Sequence, residues 1–579
     1  MAKKVAEQLV DMLAEAGIKR IYAVTGDSLN EINNAVRHSN GKIQWVHVRH
    51  EETGAFAAAA EAELNGLACC AGSSGPGHVH LINGLYDAHR SGAPVIAIAS
   101  TIPTHEFGSD YFQETNTMKL FDDCSYYNQV ATTPEQLPRM LQAGIQNAIT
   151  RKGVAVIGVP GDLAEMDAAD IRSSVFNYPS KPLMRPADQD LWDLAGVLNN
   201  YTKITIFCGV GCSDAHDEVV ELSKRLNAPV AYSFRGKMFI QRDNPNEVGM
   251  TGLLGLPSAY HSMHKSEVLL LLGTDFPYTP FIPGSCKILQ VDSKAERIGR
   301  RAKVDLGLCG TVADTISALL PLIEQKTDDA FLRQELELYQ HVKEDLLIYV
   351  KDKGRVDFIH PEYVAHTINR FASGDAVFSV DTGMCCVWGA RYIEATGERR
   401  LLGSFNHGSM ATAMPQAIGA AFASPGRQVI AFCGDGGLSM SMGDLATIVQ
   451  YKLPIKIIVF NNRSLGMVKL EMEVMGLPEW QTDMYNPDFT LIAEAMGLKG
   501  FTLRDPALVE ETIIRVLAYD GPALVNVFTD SNALAMPPKV DFKQIKGMAT
   551  AMCKMVLEGE FWEVVEKVKA NYKHAKELM

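Results

Sequence analysis

No apolar run in this chain approaches the ~18 residues that a membrane-spanning helix requires, so a transmembrane anchor is not expected. There is no CxxC pair. The nearest approach to one, Cys208 and Cys212, has no partner pair, and the eleven cysteines are an odd number. A zinc site is therefore not expected, and reduced thiols in a cytoplasmic protein are the default. There is no surplus of basic charge either. The net charge is −14, which argues against a general nucleic-acid binder. Short-period repeats and low-complexity segments are absent. The N-terminus reads Met-Ala-Lys-Lys and then Val5 to Gly17, an amphipathic stretch with acids inside it rather than a signal-peptide core. What is present is ordinary globular material: 579 residues, 47% hydrophobic and 21% charged. At ~150 residues per domain that is roughly four domains' worth, so three large domains are a natural expectation.

The first stretch alternates short apolar runs with helical patterns. Ile21–Val24, Ile43–Val48, Leu67–Cys70, Pro94–Ser100 and Val154–Val159 read as strands, and Ala55–Leu64 as an Ala-rich helix. Strand, turn and helix in alternation imply a parallel sheet covered on both faces. Residues 175–190 carry prolines and little periodicity and read as a linker. A second alternating block follows to about 325, then a charged helix from Glu335 to Lys353. A third block carries Val377–Val380, Gln428–Cys433 and Ile455–Phe460 as strands. Pro537-Pro538 ends it, and a tail remains. The expected fold is α/β, with three doubly wound parallel-sheet domains over 1–180, 190–330 and 355–535. A helical C-terminal tail is expected over 536–579.

The third block holds the most informative motif. Gly434-Asp435-Gly436 follows one apolar strand and Asn461-Asn462 another, with twenty-four residues between Gly436 and Asn461. Both lie at carboxyl ends of buried strands, where α/β sheets bind ligands. Asp435 and Asn462 offer oxygen to a hard cation that completes its sphere with phosphate and water. The glycines let phosphate approach the backbone. Alone, Gly-Asp-Gly is a turn and Asn-Asn a strand-end cap; the pairing turns the reading toward a cation and a phosphate. In the first block, Val48-Arg49-His50-Glu51-Glu52 lies between a strand and the Ala-rich helix. Taken alone, its acids complement a helix dipole.

The spacing in the third block resembles the diphosphate-binding signature of thiamine diphosphate enzymes. That resemblance makes Asp435, Asn462 and the backbone carbonyl of Ser464 the Mg²⁺ ligands, with Gly434 and Gly436 at the diphosphate. It also makes Glu51 the glutamate that hydrogen-bonds N1′ of the cofactor's aminopyrimidine, while Glu52 keeps the dipole reading. Six further segments resemble the pyruvate oxidase branch: Val24–Asn30, Gly75–Leu85, Tyr111–Thr115, Val248–Leu253, Leu272–Tyr278 and Gly403–Met410. The type they look most like is the quinone-linked pyruvate dehydrogenase. The resemblance implies oxidative decarboxylation of pyruvate to acetate and CO₂ via hydroxyethyl-thiamine diphosphate, electrons passing through FAD to a quinone. It implies a homotetramer, with Glu51 and Asp435 of one site supplied by different subunits. Acetolactate synthase is the alternative enzyme, and a phosphate-dependent, oxygen-reducing pyruvate oxidase a nearer variant. A nucleotide-binding protein without chemistry is a third, disfavoured by the joint presence of Glu51, Asp435 and Asn462.

By the same resemblance, Gly211, Arg235, Gly236, Lys237, Thr251, Gly273, Thr274, Asp292 and Asp305 line the flavin. The residues themselves support this only in part: Gly209 and Gly211 give a GxG, but the third glycine of a Rossmann fingerprint is missing. Asp292 also reads as a helix N-cap before Ala295. Met410 resembles the bulky residue that holds the thiamine cofactor bent, and Phe112, Gln113 and Glu471 resemble substrate-site residues. Met467 stands where the branch commonly has an aromatic residue. In the tail, Phe561, Val564, Val565, Val568, Tyr572, Ala575 and Met579 form one apolar stripe, with Lys567, Lys569, Lys573 and Lys576 off it. This suggests a peripheral contact with the inner face of the cell membrane. Glu560, Glu563, Glu566 and Glu577 offset those lysines, so any attraction rests on the apolar face.

Overall fold

The computed structural model describes residues 3–171 and 182–533, with residues 550 and 554. Residues 175–181 of the expected linker and the apolar stripe of the tail lie outside the described residues. Three six-stranded sheets, all parallel, make up the body. The first contains β1 (Arg20–Ala23), β2 (Gln44–His47), β3 (Ala68–Gly72), β4 (Val95–Thr101), β5 (Tyr127–Val130) and β6 (Val154–Pro160). The second contains β7 (Ile204–Cys208), β8 (Val230–Tyr232), β9 (Glu247–Met250), β10 (Val268–Leu272), β11 (Lys287–Asp292) and β12 (Leu306–Cys309). A small antiparallel hairpin, β13 (Gly354–Arg355) and β14 (Phe358–Ile359), precedes the third sheet. That sheet contains β15 (Val377–Val380), β16 (Arg400–Gly403), β17 (Val429–Gly434), β18 (Lys456–Asn461), β19 (Lys499–Leu503) and β20 (Ala523–Phe528).

Parallel strands covered by helices on both faces have no solvent side to alternate toward. Every residue of β4, β6, β10 and β18 is accordingly buried. Strand order distinguishes the sheets. The first runs β2-β1-β3-β4-β6-β5 and the third β16-β15-β17-β18-β20-β19, the same order twice. The second runs β12-β11-β10-β7-β8-β9, the doubly wound order of dinucleotide-binding folds. Each order reverses direction at one crevice: between β1 and β3, between β7 and β10, and between β15 and β17.

Some expected boundaries shift. The Ala-rich helix starts at Glu51 rather than Ala55, because the His50 ring accepts from the Glu52 N–H and caps it. The charged helix divides into Ala330–Leu346 and Ile348–Asp352, ending at Lys353 with φ +65°. Asp292 is the last residue of β11 and does not cap a helix: a 3-10 turn, Ala295–Arg297, follows with Lys294 at its start. The Glu51–Asn65 helix packs on the Ala413–Ala423 helix so closely that a Cβ on Gly419 would overlap the Ala57 carbonyl. This contact joins the first and third sheets. Among the described residues, no helix is long and apolar enough to cross a membrane.

Candidate active site

Gly434 on β17 is in register with Phe460 on β18, so Asp435 and Asn461-Asn462 leave adjacent strands at the same end. Asp435 begins a short helix and is 2% exposed. Its Oδ1 accepts from the Gly436 N–H at 2.9 Å. Its Oδ2 accepts from the Arg463 N–H at 2.7 Å and from Asn486 Nδ2 at 2.8 Å. Arg463 reaches this position with φ +57°. Burial pushes the Asp435 carboxyl above its ordinary range, and the groups that oppose the shift are neutral donors, Asn486 first. Asn462 Oδ1 accepts from the Ser464 N–H at 3.1 Å. Asn486 also donates to Asn461 at 2.9 Å, and Asn461 to Asn526 at 3.0 Å.

A Cβ on Gly436 would press on Leu465, Met410 and Met484 at 3.1–3.2 Å, so the structure brings Met410 beside the Gly-Asp-Gly turn. Met467 lies in the Gly466–Val474 helix, half-buried against the core of the third domain, with the exposed Glu471 one turn further on. The buried Asp381, after β15, faces Gly437; its Oδ1 accepts from the Thr382 N–H and the Thr412 N–H at 3.1 and 3.0 Å.

Glu51 is nearly buried, with His80 Nδ1 3.0 Å from its Oε2. His80 stacks on His50 with ring centroids 4.5 Å apart. Glu52 accepts from Asn83 at 2.6 Å, and Asn83 donates to Ser409 at 2.9 Å and meets His407 at 3.0 Å. Among the described residues, the polar contacts of Glu51 stay in the first domain and those of Asp435 in the third. Phe112 is 78% exposed; Gln113 has φ +65° and accepts from Ser74 Oγ at 3.2 Å.

In the second domain, the loops after β7 and β10 cross glycine on glycine. A Cβ on Gly211 would sit 2.6 Å from Gly273 Cα, and the Gly211 N–H donates to the Gly273 carbonyl at 2.9 Å. Thr251 Oγ1 and Asp292 Oδ2 are buried polar atoms without a partner, and Thr274 is buried beside Gly273. Asp305 is exposed, and its carboxylate accepts from the Ile288 N–H at 2.8 Å. Arg235 and Lys237 face neighbouring domains: Arg235 donates to the Ser91 carbonyl at 2.7 Å and Lys237 to the Ala390 carbonyl. Burial lowers the Lys237 ammonium pKa to about 8. Gly236 is tight for another reason, since a Cβ there would lie 2.6 Å from the Cys208 carbonyl.

Three family models match this chain in sequence. The N-terminal binding domain of the thiamine pyrophosphate enzymes covers residues 3–120, the central domain 191–319 and the C-terminal binding domain 381–527. A putative thiamine pyrophosphate-containing protein of Bacillus subtilis strain 168 is 35% identical over 97% of this chain and 98% of its own. The chain belongs to the thiamine pyrophosphate enzyme family. Within that family it is 30% identical to a pyruvate oxidase of Lactiplantibacillus plantarum, over 90% of this chain and 87% of the relative. It is 28% identical to the chloroplastic acetolactate synthase 1 of Oryza sativa subsp. japonica, over 92% and 86%.

The residues present fit the groups that the family implies. Asp435 is a buried carboxylate met by neutral donors, and a divalent cation supplies the charge they lack. Among the described residues, no cluster of three His, Cys, Asp or Glu competes for it. Asn486, Asp381 and His80 are contact residues that the sequence reading did not single out. Asn486 stands in an irregular segment twenty-four residues beyond Asn462, and Asp381 looks like any acid in a turn. His80 was visible only as part of Gly75–Leu85.

Proposed function

We propose that this enzyme oxidatively decarboxylates pyruvate, using thiamine diphosphate, Mg²⁺ and FAD, and delivers the electrons to a quinone. The balance is pyruvate, water and quinone giving acetate, carbon dioxide and quinol. The observation that carries the oxidative half is in the second domain. Thr251 Oγ1 and Asp292 Oδ2 stand buried and unpartnered, and the strand order there is that of a dinucleotide-binding sheet. Similarity to a pyruvate oxidase supports the substrate.

When bound, thiamine diphosphate supplies the electron sink for loss of carbon dioxide and FAD the two-electron acceptor. Asp435, Asn462 and the Ser464 carbonyl hold the cation. His80 lies on Glu51 Oε2, which leaves Oε1 to exchange a proton with the cofactor's ring nitrogen. Met410, beside Gly436, would pack against the thiamine cofactor. Phe112, Gln113, Met467 and Glu471 would contact the keto acid. Gly211, Gly273, Thr274, Thr251, Asp292 and Asp305 take the flavin nucleotide. Arg235 and Lys237 fix its walls to the neighbouring domains, and Gly236 permits the close approach to Cys208. One subunit of a homotetramer supplies Glu51 and another Asp435.

The test is anaerobic addition of pyruvate to purified enzyme. Bleaching of a flavin band supports the oxidase. An unchanged band with acetolactate formed replaces it with the synthase, and no turnover removes the catalytic reading. The tail is proposed as a peripheral membrane contact. If intact enzyme neither binds anionic vesicles nor gains quinone reductase activity from them, that contact fails.

A further inference from the structure

The segment 104–116 carries Phe112 and Gln113 and has little regular structure of its own. Two carboxylates brace it. Asp162 accepts from the Thr104 N–H at 3.0 Å and from its hydroxyl at 2.6 Å. Glu114 accepts from the N–H groups of Gly108 and Tyr111 at 2.6 and 3.2 Å. Both act on the early part of the loop or inside it. Its far end meets His78, a fully buried residue in the short helix Pro76–His80.

His78 uses each nitrogen once. Nδ1 lies 2.8 Å from the Ser100 carbonyl and Nε2 lies 2.6 Å from Thr115 Oγ1. A carbonyl only accepts, so Nδ1 carries the hydrogen and Nε2 accepts from the Thr115 hydroxyl. Burial lowers the imidazole pKa from its ordinary value, which keeps this neutral form. The ring also meets Phe121 edge-on, with centroids 5.9 Å apart. Ser100 is itself tied down, since its hydroxyl donates to the Ser28 carbonyl at 2.7 Å, with the Val159 carbonyl 3.1 Å away. His78 thus connects a rigid strand end to the residue two places beyond Gln113. Gln113 is held on its other side by Gly75, where a Cβ would come within 2.8 Å of it.

We propose that His78 is a positioning residue that fixes the substrate-facing loop through Thr115. The inference rests on the reading above that Phe112 and Gln113 meet the keto acid. It predicts that the two partners act as one unit. His78→Asn keeps a donor for Ser100 and removes the acceptor for Thr115; Thr115→Val removes the hydroxyl; His78→Gln restores an acceptor near the Nε2 position.

The experiment uses the cofactor-loaded enzyme and two readouts: amide hydrogen exchange over 104–116 without pyruvate, and steady-state kinetics with pyruvate. His78→Asn and Thr115→Val should each speed exchange in the loop and raise KM about tenfold, the effect of one buried hydrogen bond, with kcat changing less. The double variant should match the single ones, and His78→Gln should recover most of the loss. Unchanged exchange in both single variants overturns the clamp, as does a double variant whose effects add. Faster exchange with an unchanged KM overturns the role in substrate binding. If Phe112→Ala also leaves KM unchanged, that failure lies in the substrate reading of the loop.

Discussion

Asn486→Ala should weaken Mg²⁺ binding without touching a proposed ligand. Asn486 stands behind Asp435 in a chain of amides that begins at the fully buried Asn526 on β20 and passes through Asn461 on β18. Its Nδ2 makes two bonds, 2.8 Å to the Asp435 carboxylate and 2.9 Å to Asn461 Oδ1. A hydrogen bond to a charged group contributes about 1.5–3 kcal/mol, and a buried acceptor left without its donor costs about 1–3 kcal/mol. The loss should appear in two places. Removing a partner that orients a metal ligand lowers metal affinity about 10–100-fold. The metal-free protein should lose about 1–3 kcal/mol in denaturant unfolding, from the stranded Asn461 oxygen. The pH dependence follows from the same bond. Burial raises the Asp435 pKa and the Asn486 bond is the largest effect opposing it. Without that bond the pKa rises further, so protons compete with metal at higher pH and affinity falls more steeply toward acid. The assay is Mg²⁺ titration with thiamine diphosphate present, followed by intrinsic fluorescence at several pH values. A variant that folds normally and binds Mg²⁺ within about twofold of the parent, where 10–100-fold is expected, refutes the positioning argument.

Glu51→Gln should retain cofactor affinity and lose most turnover, because an amide cannot exchange a proton with a ring nitrogen as a carboxyl does; a near-normal kcat removes Glu51 from the mechanism. Met467→Phe should speed flavin reduction by pyruvate in stopped flow if the missing aromatic ring limits electron transfer, and an unchanged or slower rate counts against it. Asp381 has its carboxyl pushed up to about 7 by complete burial. A pKa raised on folding gives stability that is full below the unfolded value and is lost as pH rises through the folded one. The melting temperature of the cofactor-free protein should therefore fall between about pH 4 and 7, and Asp381→Asn should remove part of that slope. An identical slope in the variant sinks the assignment.

The parallel strands were legible because a strand buried on both faces is a continuous apolar run. Val95–Thr101 and Lys456–Asn461 are such runs, and their ends point to the ligand side. Val230–Tyr232 and Leu306–Cys309 are too short to rise above their surroundings. Strand order was not legible. The first and third sheets share one order without self-similarity in sequence, since order depends on crossovers and not on the strands themselves. The site divides in the same way. Gly434-Asp435-Gly436 and Asn461-Asn462 announce themselves because both function and position are local to strand ends. Asn486 and Asp381 act through partners far off in the chain, so nothing near them in sequence marks them, and His78 was visible only as part of Gly75–Leu85. The second domain shows how a failed motif can still leave a working crevice. In the dinucleotide fingerprint the third glycine allows close packing between helix and strand, and this chain lacks it. Here Gly211 meets Gly273 from the loop after β10, and Gly236 lies against the Cys208 carbonyl at the end of β7. The close approaches are made between loops and across strands, so glycine is required at 236 and 273 instead. A pattern confined to one strand–turn–helix unit cannot contain those positions, and the crevice between β7 and β10 forms without it.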